Sequence, residues 1–498
     1  MTAAAPPSVD FDSLDPATGE VLGTFAIEDA ERVADAVRRA RTAADWWLAL
    51  GEPARRARLR AWRAVLVQRT DELAGLIQRE NGKPFDDAVV EVTIAVAHLA
   101  WAAGHARKVL GRHRVNAGVL AANHAATLEY LPFGVVGVIG PWNYPVHTPM
   151  GSISYALAAG NAVVFKPSEY TPAVGTWLVD SFAEVVPEQP VLQLVTGFGD
   201  TGAALCSAGV DKLAFTGSAA TGRRVMAACA ETLTPCVIEC GGKDALIVAA
   251  DADLDLAAEQ TVWGAMFNAG QTCAGVERVY VEAPIYDEFL AKVTAQSRQL
   301  RTGGADASYG PITMPRQLEV ISRHIADALA AGGRALVGGA ESVRAPYVDP
   351  VVLVDVPADC PAMTEETFGP VVTVAKVADL NEAVTAANSG SYGLGASVFS
   401  RKQGRELAGR LDAGMVSVNS VLTYASIPGL PWGGSKESGF GRIHGPDGLR
   451  EFARSRAITS ERFPIPLKIT TFRRGEKAIG QLRQLARTRW GRGAHLQD

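Results

Sequence analysis

Between Glu31 and Gly104 apolar residues recur at intervals of three and four, with Leu59, Trp62, Leu66 and Leu73 on one stripe, and this spacing predicts helix. Ahead of it, DPATGEVLG reads as a turn-rich extended lead-in. The period then changes. Residues 114–131, RVNAGVLAANHAATLEYL, alternate apolar and polar positions and predict a hairpin that leaves the compact body. From there to residue 250, short apolar runs (GVVGVIG, NAVVFKP, VLQLVTG, KLAFTGS, CVIECGGKDALIVAA) are separated by helical stretches such as SYALAAG. Strands spaced by helices imply βαβ units and a largely parallel sheet. A second such series runs through VYVEAP, PVVLVDVP, VVTVAKV, GLGASVFS and GMVSVN. The expected fold is α/β, with two interleaved lobes and an oligomerising arm.

Composition narrows the reading. The chain has 498 residues, enough for about three domains. Hydrophobic residues (48%) and charged residues (20%) stand at globular values, which excludes whole-chain disorder. A net charge of −5 argues against a general nucleic-acid binder. No apolar run reaches the ~18 residues of a membrane span, and MTAAAPPSVDFDS lacks the charged and apolar regions of a secretory signal. Six cysteines without a CxxC pair do not make a disulfide framework, so a reduced, cytoplasmic setting is expected. Residues 463–498 are basic, and Ile479, Leu482, Leu485, Ala486 and Trp490 fall on one side of a helix there. Packing on a neighbouring subunit, or a solvated end, fits this tail better than a helix lying on an anionic membrane. Its apolar side is narrow and glycines interrupt it.

Three strand-to-helix turns suit a dinucleotide. GFGDTG (Gly197, Gly199, Gly202) matches G-x-G-x-x-G, but positions 219–222 hold no acidic residue to complete the fingerprint, so alone it is a loop-to-helix turn. In FTGSAATG, Gly217 and Ser218 open a helix whose free N–H groups suit a pyrophosphate; a plain helix cap is the competing reading. In KPSEYTP, Lys166 and Glu169 end a strand, where they meet ribose hydroxyls or simply face solvent. Three reactive groups stand elsewhere: Cys273 in a small-residue turn (FNAGQTCAG), Glu239 at the end of an apolar run (IECGGK) and Asn143 after another (PWNYP). A carboxylate that ends a buried strand is costly without a task or a partner. A nucleophile, a base and an oxyanion donor are the parts acyl chemistry requires.

Seven motifs, PWNYP, KPSEYTP, FTGSAATG, ECGGK, GQTC, EETFGP (365–370) and PWGGSKESGFGR (431–442), stand in the order seen in the aldehyde dehydrogenase superfamily, with Cys273 34 positions after Glu239. Over about residues 15–462 the chain resembles that family. The resemblance implies a Rossmann-like NAD-binding domain (1–112 and 132–241), an α/β catalytic domain (242–442) and a β-hairpin oligomerisation arm (113–131 and 443–465), with the basic tail at 466–498. It also implies a homodimer or homotetramer. By the same resemblance Cys273 is the nucleophile, Asn143 and the Cys273 backbone N–H hold the oxyanion, and Glu239 activates the water that hydrolyses the thioester. Relatives that transfer the acyl group to coenzyme A lack that glutamate. Carried over by motif, Trp142, Gly217 and Ser218 face the pyrophosphate, Lys166 and Glu169 the adenosine ribose, and Gly199 the adenine. Gly241 and Phe368 line the nicotinamide side and Glu366 binds its ribose. Glu169 favours NAD over NADP, because a carboxylate repels a 2′-phosphate.

The substrate funnel implied by the resemblance is made of Tyr144–Gly151, Phe267–Ala274 and Tyr424–Trp432, which contain no Arg or Lys. Tyr144, Tyr424 and Trp432 offer aromatic surface. Gly151 stands where many relatives carry a bulky aromatic, so a roomier funnel is expected. The expected substrate is an uncharged aliphatic or aromatic aldehyde; the alternatives are succinate semialdehyde, betaine aldehyde held by cation–π contacts, or a binding relative without catalysis. His147 reads as a hydrogen-bonded wall residue, and no His/Cys/Asp group has metal-ligand spacing. Cys240, where leucine is the common family choice, is a small buried hydrophobe or an oxidation-sensitive thiol.

Overall fold

A computed structural model describes residues 9–304, 306–465 and 469–491. The helical run expected up to residue 104 is four helices: α1 Ala30–Ala49, α2 Gly51–Gln68, α3 Thr70–Asn81 and α4 Phe85–Leu110. The breaks are local. Gly51 and Gly82 take φ of 75° and 88°, a left-handed conformation that glycine adopts without a Cβ clash. α4 has the length and composition to cross a membrane, which the sequence reading found nowhere. Its stripe Ala88, Val92, Ala95 and Leu99 is instead buried in the protein core, together with Glu91 and His98.

The first strand–helix series forms one sheet. Its strands are β1 Val135–Ile139, β2 Ala162–Lys166, β3 Leu192–Leu194, β4 Lys212–Gly217 and β5 Cys236–Cys240. They lie in the order β5-β4-β1-β2-β3, all parallel, and Gly439–Phe440 pairs antiparallel on the β5 edge. Helices α5 His147–Ala159, α6 Pro172–Val185, α7 Gly199–Ser207 and α8 Ala219–Glu231 connect them. The run CVIECGGKDALIVAA is two strands, because Gly241–Lys243 carries the chain into a second sheet. That sheet begins at β6 Asp244–Val248, and helix α9 Leu254–Met266 leads to β7 Val276–Glu282. It continues through β8 Arg334–Val337, β9 Val351–Val354, β10 Val371–Val377, β11 Gly395–Phe399 and β12 Met415–Val418. The order is β8-β9-β10-β7-β6-β11-β12, parallel except for β8. Strands buried on both faces explain why these runs read as continuous Val, Ile and Leu rather than alternating.

Residues 111–130, with the described residues of 455–491, form a separate unit. It holds the expected hairpin: His113–Val115 pairs antiparallel with His124–Pro132, and Ala453–Glu461 joins the same sheet. Arg456 Nη2 donates to Glu129 at 2.7 Å, and Arg112 contacts the same carboxylate. The tail forms a helix, Glu476–Trp490, with no buried residue; Ile479, Leu482 and Leu485 are half-buried, and Ala486 and Trp490 exposed. The segments 1–8, 466–468 and 492–498 of the terminal readings above lie outside the described residues.

Candidate active site

Glu239 is buried near the end of β5, opposite Thr216 of β4, whose Oγ1 donates to Glu239 Oε2 at 3.0 Å. Oε1 has no hydrogen-bond partner among the described residues, and the side chains of Trp432 and Cys273 lie against this carboxyl. Burial pushes the Glu239 carboxyl above its usual range. Burial first, and the neighbouring Glu239 second, push the Cys273 thiol well above its usual range. The fold therefore brings a protonated thiol and a poised carboxyl together across 34 residues of sequence.

The turn that presents Cys273 is strained. Asn268 and Ala269 take φ of 52° and 56°, and Gly270 follows at 69°. Non-glycine residues held there cost of order 1–3 kcal/mol each and persist only when the surroundings over-determine them. Here Asn268 Nδ2 donates to Asn143 O at 3.1 Å, Gln271 Nε2 donates to Asn268 O at 3.0 Å, and Asn143 Nδ2 donates to Gln271 O at 2.9 Å. A Cβ on Gly270 would meet the Gly369 carbonyl oxygen at 2.1 Å, so the GQTC turn is pressed onto the EETFGP turn.

A buried ion pair that the sequence reading missed supports Asn143. Lys83 Nζ donates to Glu91 Oε2 at 2.5 Å and to Asn143 O at 2.9 Å, and lies 4.1 Å from the centre of the Tyr144 ring. Glu91 Oε1 accepts from the backbone N–H groups of Val146 and His147 at 2.8 and 3.0 Å, capping the start of α5. Eight residues separate the two partners, a spacing that no motif marks.

A cavity of about 260 Å³ reaches Cys273. Tyr144, Trp432, Phe267 and Thr272 line it as expected, and α4 contributes Asp87, Val90, Glu91 and Ile94, which the reading missed. Among the described residues no Arg or Lys lines it. Two funnel expectations are corrected. Tyr424 is not in its wall, which is made by the neighbouring Leu422, Ala425 and Ser426; Tyr424 is buried edge-on to Trp432 at 5.7 Å, its hydroxyl on the Gly395 side. Gly151 does not widen the funnel either. His444 occupies that space, with its Nε2 2.5 Å from where a Cβ on Gly151 would stand.

His147 lines the cavity, as a wall residue was expected to, but its Nδ1 has no hydrogen-bond partner among the described residues and it is not alone. It joins His98 and His444, from three distant segments, with ligand-type atoms within 4.8 Å of one another. No sequence spacing announces this group. The His98 and His444 rings pack with centroids 3.7 Å apart, and His98 Nε2 donates to Ala425 O at 2.9 Å. Burial lowers all three imidazoles, His147 to about 3, so the cluster is neutral. Cys240 is buried against Gly222 with its thiol pushed up to about 12, which suits the small-hydrophobe reading rather than a reactive thiol.

A second cavity, about 480 Å³, opens at the carboxyl ends of β1, β2 and β4, the usual place for ligands in such sheets. Trp142, Lys166, Glu169, Gly199, Gly217 and Ser218 line it, as expected, with Arg224 in addition. Ser218 caps α8, its Oγ accepting from Thr221 N. Nothing lies within 4 Å of a Cβ placed on Gly199, so a flat group has room there. Lys166 Nζ donates to Pro167 O at 3.0 Å and lies 4.0 Å from Glu169 Oε2. A buried amine, a helix N-terminus and an open glycine fit an adenine dinucleotide. Gly241, Glu366 and Phe368 do not line this cavity. Gly242 N–H donates to Glu366 Oε1 at 3.1 Å, and a Cβ on Gly241 would overlap that carboxyl. Phe368 meets Trp142 edge-on at 5.5 Å. Burial, with Glu277 and Glu239 nearby, pushes the Glu366 carboxyl up to about 8.

Comparison with known proteins agrees with this geometry. The sequence model of the aldehyde dehydrogenase family matches residues 3–458. A 4,4'-diapolycopene aldehyde oxidase of Methylomonas is 38% identical over 446 residues, 89% of this chain and 84% of that protein. A Mycolicibacterium smegmatis protein whose name gives succinate semialdehyde as substrate and NADP(+) as cofactor is 35% identical, over 89% of this chain and 87% of that one. Among solved structures, an NAD-dependent aldehyde dehydrogenase from Sinorhizobium meliloti superposes with a TM-score of 0.88 at 31% identity, covering 93% of each chain.

Proposed function

This chain belongs to the aldehyde dehydrogenase family, and from that premise we propose that it oxidises an uncharged aliphatic or aromatic aldehyde to the carboxylic acid, with NAD preferred to NADP. The observation that carries the substrate reading is the wall of the Cys273 cavity. It is mostly apolar and aromatic, its only carboxylates among the described residues are Asp87 and Glu91, and the nearby Lys83 is already bound to Glu91 and Asn143. A carboxylate-bearing aldehyde finds no guanidinium partner there.

Cys273 Sγ attacks the carbonyl carbon as its proton leaves, which Glu239 is placed to accept. The oxyanion of the thiohemiacetal takes hydrogen bonds from Asn143 Nδ2 and the Cys273 N–H. NAD, when bound, would supply the hydride acceptor for oxidation of the thiohemiacetal to a thioester. Trp142, Lys166, Glu169, Gly199, Gly217 and Ser218 would hold it, with Gly241, Glu366 and Phe368 on the nicotinamide side. Glu239, its first proton released to solvent, then takes a proton from water, the water oxygen attacks the thioester carbonyl, and the Cys273 sulfur departs as the thiolate. The assembly implied by the family is a homodimer or homotetramer.

The test is formation of NADH and NADPH with a panel of aldehydes, for wild type and Cys273→Ala in parallel. NADH formation that vanishes in the variant is expected, with hexanal and benzaldehyde ahead of succinate semialdehyde. A folded protein that oxidises no aldehyde with either cofactor would make it a binding relative.

A further inference from the structure

The cavity at Cys273 does not end at its own walls. A cavity of about 820 Å³ adjoins it, and the two share Asp87, Trp263, Phe267, Leu422 and Ser426. A file of rings runs along this route. Tyr144 shares a hydrogen bond with Thr272, the neighbour of Cys273, and its ring stacks on Phe267 at 6.1 Å and 29°. Phe267 stacks on Trp263 at 4.8 Å and 28°, and Trp263 is 42% exposed. Three rings, each stacked on the next, thus lead from beside the nucleophile to the surface. On α4, Asp87, Val90, Glu91 and Ile94 follow helical spacing and line the inner chamber. Among the described residues no Arg or Lys lines either cavity, and the outer one carries Asp255, Glu259 and three glutamines.

Resting on the aldehyde-oxidising reading above, we propose that the substrate is an elongated aldehyde. Its chain is apolar and flat, as in an aryl-alkenyl or polyene aldehyde, and its tail passes Trp263 into the outer cavity. The inner chamber alone falls short of the roughly 300–1,000 Å³ of a pocket for a drug-sized ligand, whereas the two together are no longer too small for one. Stacked rings offer offset stacking to a conjugated chain. Carboxylates and amides at the outer end accept a neutral polar terminus and repel an acidic one.

The experiment is kcat/KM with wild type for propanal, hexanal, decanal, 2,4-decadienal and the ω-carboxylate analogue of decanal, repeated with Leu300→Glu. Leu300 lines only the outer cavity. The expected result is a rise from propanal to decanal of up to about fourfold per methylene buried. The dienal should exceed decanal, and the ω-carboxylate should fall at least tenfold below it. Leu300→Glu should lower the decanal-to-propanal ratio at least tenfold, propanal serving as the control for folding. Rates that stay flat beyond hexanal, or a ratio that Leu300→Glu leaves unmoved, would overturn the proposal while leaving the aldehyde reading in place. Failure to oxidise any of these aldehydes would overturn the underlying reading and the proposal with it.

Discussion

Glu239 and Cys273 show how environment, not residue type, sets reactivity. A cysteine at its ordinary pKa is a few per cent thiolate at neutral pH; here burial and a facing carboxyl suppress even that. The consequence has a sign. Glu239 acts as a base only when ionised, and burial raises its pKa above the ordinary 4.5. Activity should therefore rise with pH through that raised value. In Glu239→Gln this acid limb should disappear and steady-state turnover should fall about 10²–10⁴-fold. A burst approaching one NADH per site should persist but form more slowly, because Glu239 accepts the Cys273 proton before it serves the hydrolysis. Rapid mixing across a pH series measures both, and unchanged steady-state turnover would remove Glu239 from the role of base. At the other end of the site, Glu169→Gln should shift kcat/KM toward NADP by about tenfold, or ~1.4 kcal/mol, if its charge is what repels a 2′-phosphate. Cofactor titrations of the two forms decide that.

Among the elements, α4 does most to position the chemistry, though it carries none of the expected catalytic residues. Through Glu91 it holds Lys83 and the first turn of α5, and through Lys83 it holds the Asn143 carbonyl. Lys83→Met would leave Glu91 buried without its cation, which costs about 3–5 kcal/mol. Denaturant unfolding should show that loss, together with lower kcat from a displaced Asn143; a midpoint equal to wild type would contradict it. The type of each element was legible from periodicity: long Val- and Ile-rich runs for buried strands, three-and-four spacing for helices. Their boundaries were less so. One helical run became four helices because the turns at Gly51, Arg69 and Gly82 leave the apolar period almost undisturbed. A single strand phrase became two because only a glycine pair, Gly241–Gly242, marks the passage between sheets.

On the scale of the whole molecule, two parallel sheets and the N-terminal helices converge on one site, drawing from segments near 83–94, 143–147, 239, 273, 366–368 and 422–432. The tail helix bears on the whole chain differently. With Ala478, Ile479, Leu482 and Leu485 half-buried and no fully buried side chain, it presents a narrow apolar strip. Full-length protein and a form ending at residue 462 should float equally with anionic liposomes; flotation of the full chain alone would assign the tail to membranes.

The sequence by itself determined the α/β class, the family and the candidate nucleophile, base, oxyanion donor and nucleotide contacts. These depend on local chemistry: an apolar run ending in a polar residue, a glycine at a turn, a motif in order. Only the tertiary structure decided what fills the space between segments. His444 takes the room that Gly151 leaves, and Tyr424 turns inward while its neighbours line the funnel. Three histidines from separate segments meet, and Lys83 finds Glu91. Packing depends on which side chains arrive from elsewhere in the chain, and a linear pattern carries no record of that arrival.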